Sequence, residues 1–241
     1  MNIKVALVCV AKNEDYYLKE WLDYNQKLGF DKVILFQNDW RTDFEHPIME
    51  KAICDGPSIQ VWLYNMVLQD NTIYDWIAFL DCDEFIVLKK HNNIKELIEE
   101  YKDRTNVLAL NWTLFGNMGK LTRENNSLLK TFTMRNSGID KHVKIIVNAR
   151  SGQIMGLPHN TLGLTMDTNG TYFYGPHNKY GPMDVAYINH YYSKTKEDWI
   201  IRCKRGRADC NLFSELNEWD KAINLNRDVE DLSAYNFLFG I

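Results

Sequence analysis

The segment Asp81-Cys82-Asp83-Glu84-Phe85 puts three carboxylates directly after the apolar run Trp76-Ile77-Ala78-Phe79-Leu80. Hard divalent cations such as Mg²⁺ and Mn²⁺ prefer oxygen ligands. An acidic cluster at the carboxyl end of a buried strand could hold such an ion against a diphosphate. The plainer alternative is an acidic turn that closes a strand, because Asp-x-Asp recurs by chance.

Other polar groups follow apolar runs in the same way. In Lys12-Asn13-Glu14, Asn13 or Glu14 could hydrogen-bond a base or ribose, or could simply start a helix. Gln37-Asn38-Asp39 repeats the pattern, with an Asx turn as the alternative. Of six histidines, His190 stands out in Ile188-Asn189-His190-Tyr191-Tyr192, where a neutral imidazole could ligate a Mn²⁺ held by Asp83. His159 and His177 fall in Pro-containing turns, either serving a substrate pocket or capping loops. Lys194, Lys196, Arg202, Lys204, Arg205 and Arg207 form a basic region, with Lys194 and Arg205 preferred as phosphate partners and the rest read as a solvated helix face. Trp112 ends a strand in Trp112-Thr113-Leu114-Phe115-Gly116, and its ring could stack on a sugar. Aromatic side chains are more often core.

Strands and helices must bring these groups together. Val5 to Val10 reads as a strand covered on both faces. The apolar residues Tyr17, Leu18, Trp21, Leu22, Tyr24 and Leu28 recur at helical spacing, and Gly29 suits the C-terminal cap. Strands are expected over Lys32 to Gln37, Ile59 to Leu63, Trp76 to Leu80 and Val107 to Trp112. A helical turn is expected at Ile48 to Ile53 and a helix over Asn93 to Tyr101. The alternation implies a mainly parallel sheet flanked by helices, whose ligands bind beyond the carboxyl ends of the strands. The second half is richer in glycine and less regular. Short strands are expected at Leu129 to Met134, Lys144 to Asn148, Tyr172 to Tyr174 and Tyr187 to Tyr192. A helix over Lys196 to Arg207 should turn Trp199, Ile200 and Cys203 inward and its arginines outward. Leu212 to Trp219 and Leu232 to Leu238 should be short closing helices, the aromatic tail packing on the core.

Composition sets outer bounds. The 241 residues are 45% hydrophobic and 25% charged, with a net charge of -4 and a pI near 5.9. That is globular, and it argues against nucleic acid as a partner. Five scattered cysteines argue against a disulfide framework and for a reducing, cytoplasmic setting. No apolar run reaches the roughly 18 residues of a membrane span, so contact with a membrane would be peripheral, at its inner face.

Five ordered blocks carry a resemblance. Val10-Ala11-Lys12-Asn13-Glu14 with Leu18-x-x-Trp21-Leu22-x-Tyr24, then Trp76 to Phe85, resemble the opening and the Asp-x-Asp-Glu-Phe signature of GT-A glycosyltransferases of the family-2-like and family-92-like group. Trp112-x-x-Phe115-Gly116, Lys141-x-x-Lys144-Ile145-Ile146, and Asn189-His190-Tyr191-Tyr192-Ser193-Lys194-Thr195 with Lys204-Arg205-Gly206 continue the order. The resemblance implies one GT-A domain over 1–241. Its nucleotide-sugar half would reach about residue 112, with an acceptor half and closing helices after it. It implies a hexosyltransferase that moves a sugar from a nucleotide-sugar donor, a UDP-sugar by preference, to a glycan or glycolipid acceptor, with Mn²⁺ or Mg²⁺ and inversion. By it, Asp81, Asp83 and His190 would form the metal set. Lys12, Asn13, Glu14, Asn38, Asp81, Trp112, Lys194 and Arg205 would contact the nucleotide sugar, and Asp209 or Glu84 would act as base, with Asp140 and Asp167 as alternatives. Two rival readings are a divalent-metal phosphohydrolase or nucleotidyltransferase and a non-catalytic carbohydrate-binding protein of the same fold. The absence of glycine from Val8-Cys9-Val10-Ala11-Lys12-Asn13 counts against a nucleotidyltransferase loop.

Overall fold

In strand β1 (Val5–Ala11), Val5, Leu7, Cys9 and Ala11 face one apolar cluster while Ala6, Val8 and Val10 face another. Successive side chains of a strand point to opposite faces, so a continuous apolar run is a strand buried on both sides. A computed structural model describes residues 3–206 and 214–241, and β1 lies in the middle of its sheet. Helix α1 (Asp15–Leu28) buries the six apolar residues expected of it, and Gly29 ends it in the left-handed region at φ 101°. Strand β2 (Lys32–Gln37) runs parallel to β1, and β3 (Met49–Ile53) parallel to β2. The expected helical turn at Ile48 to Ile53 is therefore an edge strand. Helix α2 (Gln60–Asp70) replaces the strand expected at Ile59 to Leu63; a five-residue apolar run has no period that separates the two.

Strand β4 (Trp76–Phe79) lies on the other side of β1, in parallel. Strand β5 (Glu84–Leu88), helix α3 (Ile94–Tyr101) and strand β6 (Val107–Leu114) follow. The segment expected as a strand at Leu129 to Met134 is instead a short helix α4 (Leu128–Thr131), capped by Ser127, and then β7 (Met134–Arg135). Strand β8 (Val143–Asn148) slots between β4 and β6, antiparallel to both. Its first residues therefore lie at the edge where the parallel strands end. Short strands β9 (Met155–Leu157), β10 (Asn160–Thr161), β11 (Thr165–Met166) and β12 (Tyr172–Phe173) precede β13 (Ala186–His190). The last of these pairs antiparallel with β5 and parallel with β6. Helices α5 (Lys196–Arg205) and α6 (Leu216–Lys221), strand β14 (Val229–Glu230) and helix α7 (Ser233–Phe239) complete the described chain.

The long sheet reads β12-β11-β6-β8-β4-β1-β2-β3. With its helices it is the mixed α/β arrangement expected, parallel apart from β8 and β12. Helices α1 and α3 and the aromatic tail cover one face; Tyr24 packs edge-on to Phe237 at 5.1 Å. Helix α2 covers the other face. Among the described residues no helix is long and apolar enough to cross a membrane.

Candidate active site

The ends of β1 and β4, the start of β8 and the end of β13 bring the polar segments of the sequence to one edge. They line a cleft of about 120 Å³ that is open to solvent. Its lining includes Lys12, Glu14, Gln60, Asp81, Asp83, Trp112, His159, His190, Tyr192, Arg202 and Arg205.

The two aspartates differ in their partners. The Asp81 carboxylate accepts from Lys144 Nζ at 2.9 Å and from Gln60 Nε2 at 3.2 Å. Lys144 is only 1% exposed and also stands 3.4 Å from Glu84 Oε2. Burial acts to raise the Asp81 carboxyl, but the Lys144 ammonium outweighs it and holds the group below the ordinary carboxylate range. Burial would lower the Lys144 ammonium; Asp81 and Glu84 reverse that and raise it. Asp83 faces a second set of charges. Lys194 Nζ is 3.2 Å from Asp83 and 3.1 Å from Glu14, and Arg205 bonds the other Glu14 oxygen at 2.6 Å. Against the effect of burial, Lys194, His190 and Arg202 hold the Asp83 carboxyl well below its ordinary range.

His190 Nε2 is 3.7 Å from Asp83 Oδ1, and its Nδ1 is buried without a hydrogen-bond partner. Burial lowers this imidazole to about 4, so it is neutral near pH 7. A neutral ring beside a carboxylate suits a divalent cation. The expected set of three ligands is not assembled, however. Among the described residues no three His, Cys, Asp or Glu groups converge as a metal site, because Lys144 and Gln60 engage Asp81. Of the expected set, Asp83 and His190 are the two that stand side by side at the cleft, 3.7 Å apart.

Sequence and structure part company elsewhere. Glu84 has no exposed surface; its Oε2 accepts from the Asp81 backbone N–H at 2.8 Å, and burial pushes its carboxyl well up. It supports the Asp81 turn and does not reach an acceptor. Asn38 is wholly buried, its amide donating to the carbonyls of Cys54 and Gly56 at 3.0 and 2.9 Å, so it braces a loop and does not line the cleft. Asp209 lies outside the described residues. Asp167 is buried and accepts from Asn169, Thr171 and Asn178. Asp140 holds His142 Nδ1 at 2.5 Å, and the His142 ring packs on Trp112. Trp112 is also in contact with His190, their centroids 4.2 Å apart, and with His159. Its indole Nε1 is buried without a partner. Lys12 pairs with Asp39 at 2.9 Å. Asn13 has φ 56°, which Asn tolerates, and it lines a smaller neighbouring pocket together with Lys194.

Several cleft residues escaped the sequence reading. Arg202, read as solvated, lies on the Trp199 face of α5, three residues on, and that face is turned inward. The capping box of Thr195 and Asp198 starts the helix, and the Asp198 carboxylate also accepts from Tyr17 and Arg123. These bonds dock α5 against α1 and carry Arg202 and Arg205 to the cleft. Ile200, expected inward, is 37% exposed. Gln60 was hidden in a segment taken for a strand. His159 donates its Nδ1 hydrogen to Val143 O, in the tautomer that leaves Nε2 as an acceptor; burial and Lys144 lower it to about 3. Lys144 announced itself as a lone charge within Val143-Lys144-Ile145-Ile146-Val147, a residue type rarely buried without a partner. Lys194 adopts φ 45°, a strained backbone for lysine, held by its ion pairs and by Trp219 Nε1 donating to its carbonyl at 3.2 Å.

A sequence profile of glycosyltransferase family 92 matches residues 67–228, more than half of the chain. A family 92 protein of Ricinus communis is 21% identical over 118 residues, covering 44% of this chain and 21% of that protein. One from Oryza sativa subsp. japonica is 19% identical over 159 residues, covering 59% and 27%. The chain thus matches about a fifth to a quarter of the length of these relatives. The crystal structure of residues 1–349 of TarS from S. aureus aligns with 99% of this chain and 72% of its own, at 13% identity and a TM-score of 0.37, a weak overall likeness. By the extent of the profile match, the chain belongs to glycosyltransferase family 92.

Proposed function

We propose that the cleft binds a nucleotide sugar, a UDP-sugar by preference, and that the chain transfers the sugar to a glycan acceptor with inversion. The observation that carries this reading is the convergence of Asp83, His190, Lys194 and Arg205, from three separated parts of the sequence, at the edge where the parallel strands end. Ligands of such sheets bind at that edge.

Asp83 and His190 would hold a Mn²⁺ or Mg²⁺, which would supply Lewis-acid stabilisation to the departing diphosphate. Lys194 and Arg205 would donate charge-assisted hydrogen bonds to phosphate oxygens, with Glu14 aligning both cations. Preorganised donors of this kind stabilise charge as it develops on the leaving group, where each is worth roughly 2.7–4 kcal/mol in a dry site. Asp81, fixed by Lys144 and Gln60, would accept from a ribose hydroxyl. His159 Nε2 would accept from a hydroxyl of the donor. Trp112 would bound the sugar and offer its indole N–H.

A screen of UDP-, GDP- and CMP-sugars, by thermal shift and donor hydrolysis with and without Mn²⁺, tests this. A UDP-sugar should stabilise the protein only with metal, and Asp83→Ala should abolish the effect. Unchanged melting with every nucleotide sugar would sink the transferase reading. Metal-dependent cleavage of simple phosphate esters, without preference for sugar nucleotides, would favour a phosphohydrolase.

A further inference from the structure

We propose that Arg202, held over the ring of Tyr192 and beside Trp199, is the cation that engages the diphosphate of the donor first. This rests on the reading of the cleft as a donor site and adds a phosphate-binding residue to it.

The other cations at the cleft are in ion pairs, Lys144 with Asp81 and Glu84 among them. Lys12 is paired with Asp39, and Arg205 with Glu14. Lys194 bridges Glu14 and Asp83. Two carboxylates, Glu14 and Asp83, thus face two cations, Lys194 and Arg205. Arg202 lines both the cleft and the smaller pocket beside it. Among the described residues it has no carboxylate within ion-pair distance, and its hydrogen bond is a long one, from Nε to Ser214 Oγ at 3.4 Å. The guanidinium carbon lies 4.2 Å from the centroid of the Tyr192 ring and 5.4 Å from that of Trp199.

A guanidinium over aromatic faces is held in orientation and partly stripped of water while its N–H groups stay available in the ring-parallel plane. Planar N–H groups match phosphate oxygens and bind them as charge-assisted pairs. Lys194 and Arg205 must exchange carboxylate partners to meet a phosphate. Among the described residues Arg202 has no carboxylate partner to exchange, so an incoming anion meets it at lower cost.

The test is calorimetric titration of UDP, uridine and inorganic pyrophosphate, with Mn²⁺ present, into the wild-type chain, R202Q and the exposed control K204Q. UDP and pyrophosphate affinity should fall about tenfold in R202Q, and by threefold at the least, with uridine unchanged and K204Q like wild type. A smaller loss overturns the assignment and leaves the donor reading standing. Pyrophosphate binding that needs Arg202, without any binding of UDP or UDP-sugars, keeps the assignment and sinks the donor reading. No binding of either anion by the wild type overturns both. In case R202Q does not fold, arginine Nε–H resonances supply a second readout. The signal absent from R202K should shift when wild type is titrated with pyrophosphate, and a signal that stays still overturns the assignment.

Discussion

The two walls of the cleft handle buried charge in opposite ways. Behind Asp81, Lys144 and Glu84 are almost wholly enclosed, and Glu84 also fixes the backbone of the turn. Beside Asp83, the partners Lys194, Glu14 and Arg205 stand at the cleft surface, each 8–15% exposed at the side chain. The first wall is a brace. Its ammonium cannot leave without stranding buried acids. The second is a set of exchangeable pairs, in which a cation can pass from carboxylate to phosphate without entering a drier place. Placing a fixed carboxylate beside exchangeable ones gives a site rigid enough to orient a ligand and open enough to bind it.

Breaking the brace should have the largest effect on stability. Lys144→Met should cost about 2 kcal/mol in urea denaturation, since it strips the wholly buried Glu84 and the partly exposed Asp81 of their cation. The double variant with Asp81→Asn should recover part of the loss. If Lys144→Met melts like wild type, the two walls do not differ as described. Acid comes next. Folding lowers His190 from 6.5 to about 4, so between these values the unfolded chain binds the extra proton and stability rises with pH. In chelator, acidifying from pH 6.5 to 5 should remove about 1.5 kcal/mol through this residue, and His190→Gln should flatten that slope. His159 adds a term of the same sign, present above pH 6.5 and lost towards its folded value of about 3. On the exchangeable wall, Glu14→Gln should cost only about 1 kcal/mol of stability. It should weaken UDP binding severalfold by freeing Arg205 from its place, which titration calorimetry would register. The exposed i,i+4 pair Lys19–Asp23 sets the floor. Lys19→Gln should change stability by less than about 0.5 kcal/mol.

Much of the frame was legible because helix α1 carries a clear helical period and β1 is a continuous apolar run that stops at polar residues. The edge that carries the cleft followed from where β1 and β4 end. Ile59 to Leu63 was misread because its pattern fits a strand as well as a helix start. Glu84 and Asn38 were misplaced for a common reason: chain position puts a residue near an edge but does not say which way its side chain turns. Asp83 ends the turn before β5 and lines the cleft, whereas Glu84, the first residue of β5, is wholly buried. The Lys144 partnership joins residues 63 apart in sequence, and the Lys194–Glu14 bridge joins residues 180 apart. Both were beyond local pattern. Arg202 was within reach, since the i,i+3 step from the buried Trp199 puts it on the inward face.

The most direct test of a donor site centred on Asp83 is calorimetric titration of UDP into the wild-type chain and Asp83→Asn, each with Mn²⁺ and with chelator. Wild type should bind UDP at least about tenfold more tightly with Mn²⁺, a difference of about 1.4 kcal/mol, and Asp83→Asn should lose that gain while keeping its fold. Equal metal enhancement in both proteins, or none in wild type, would contradict the account.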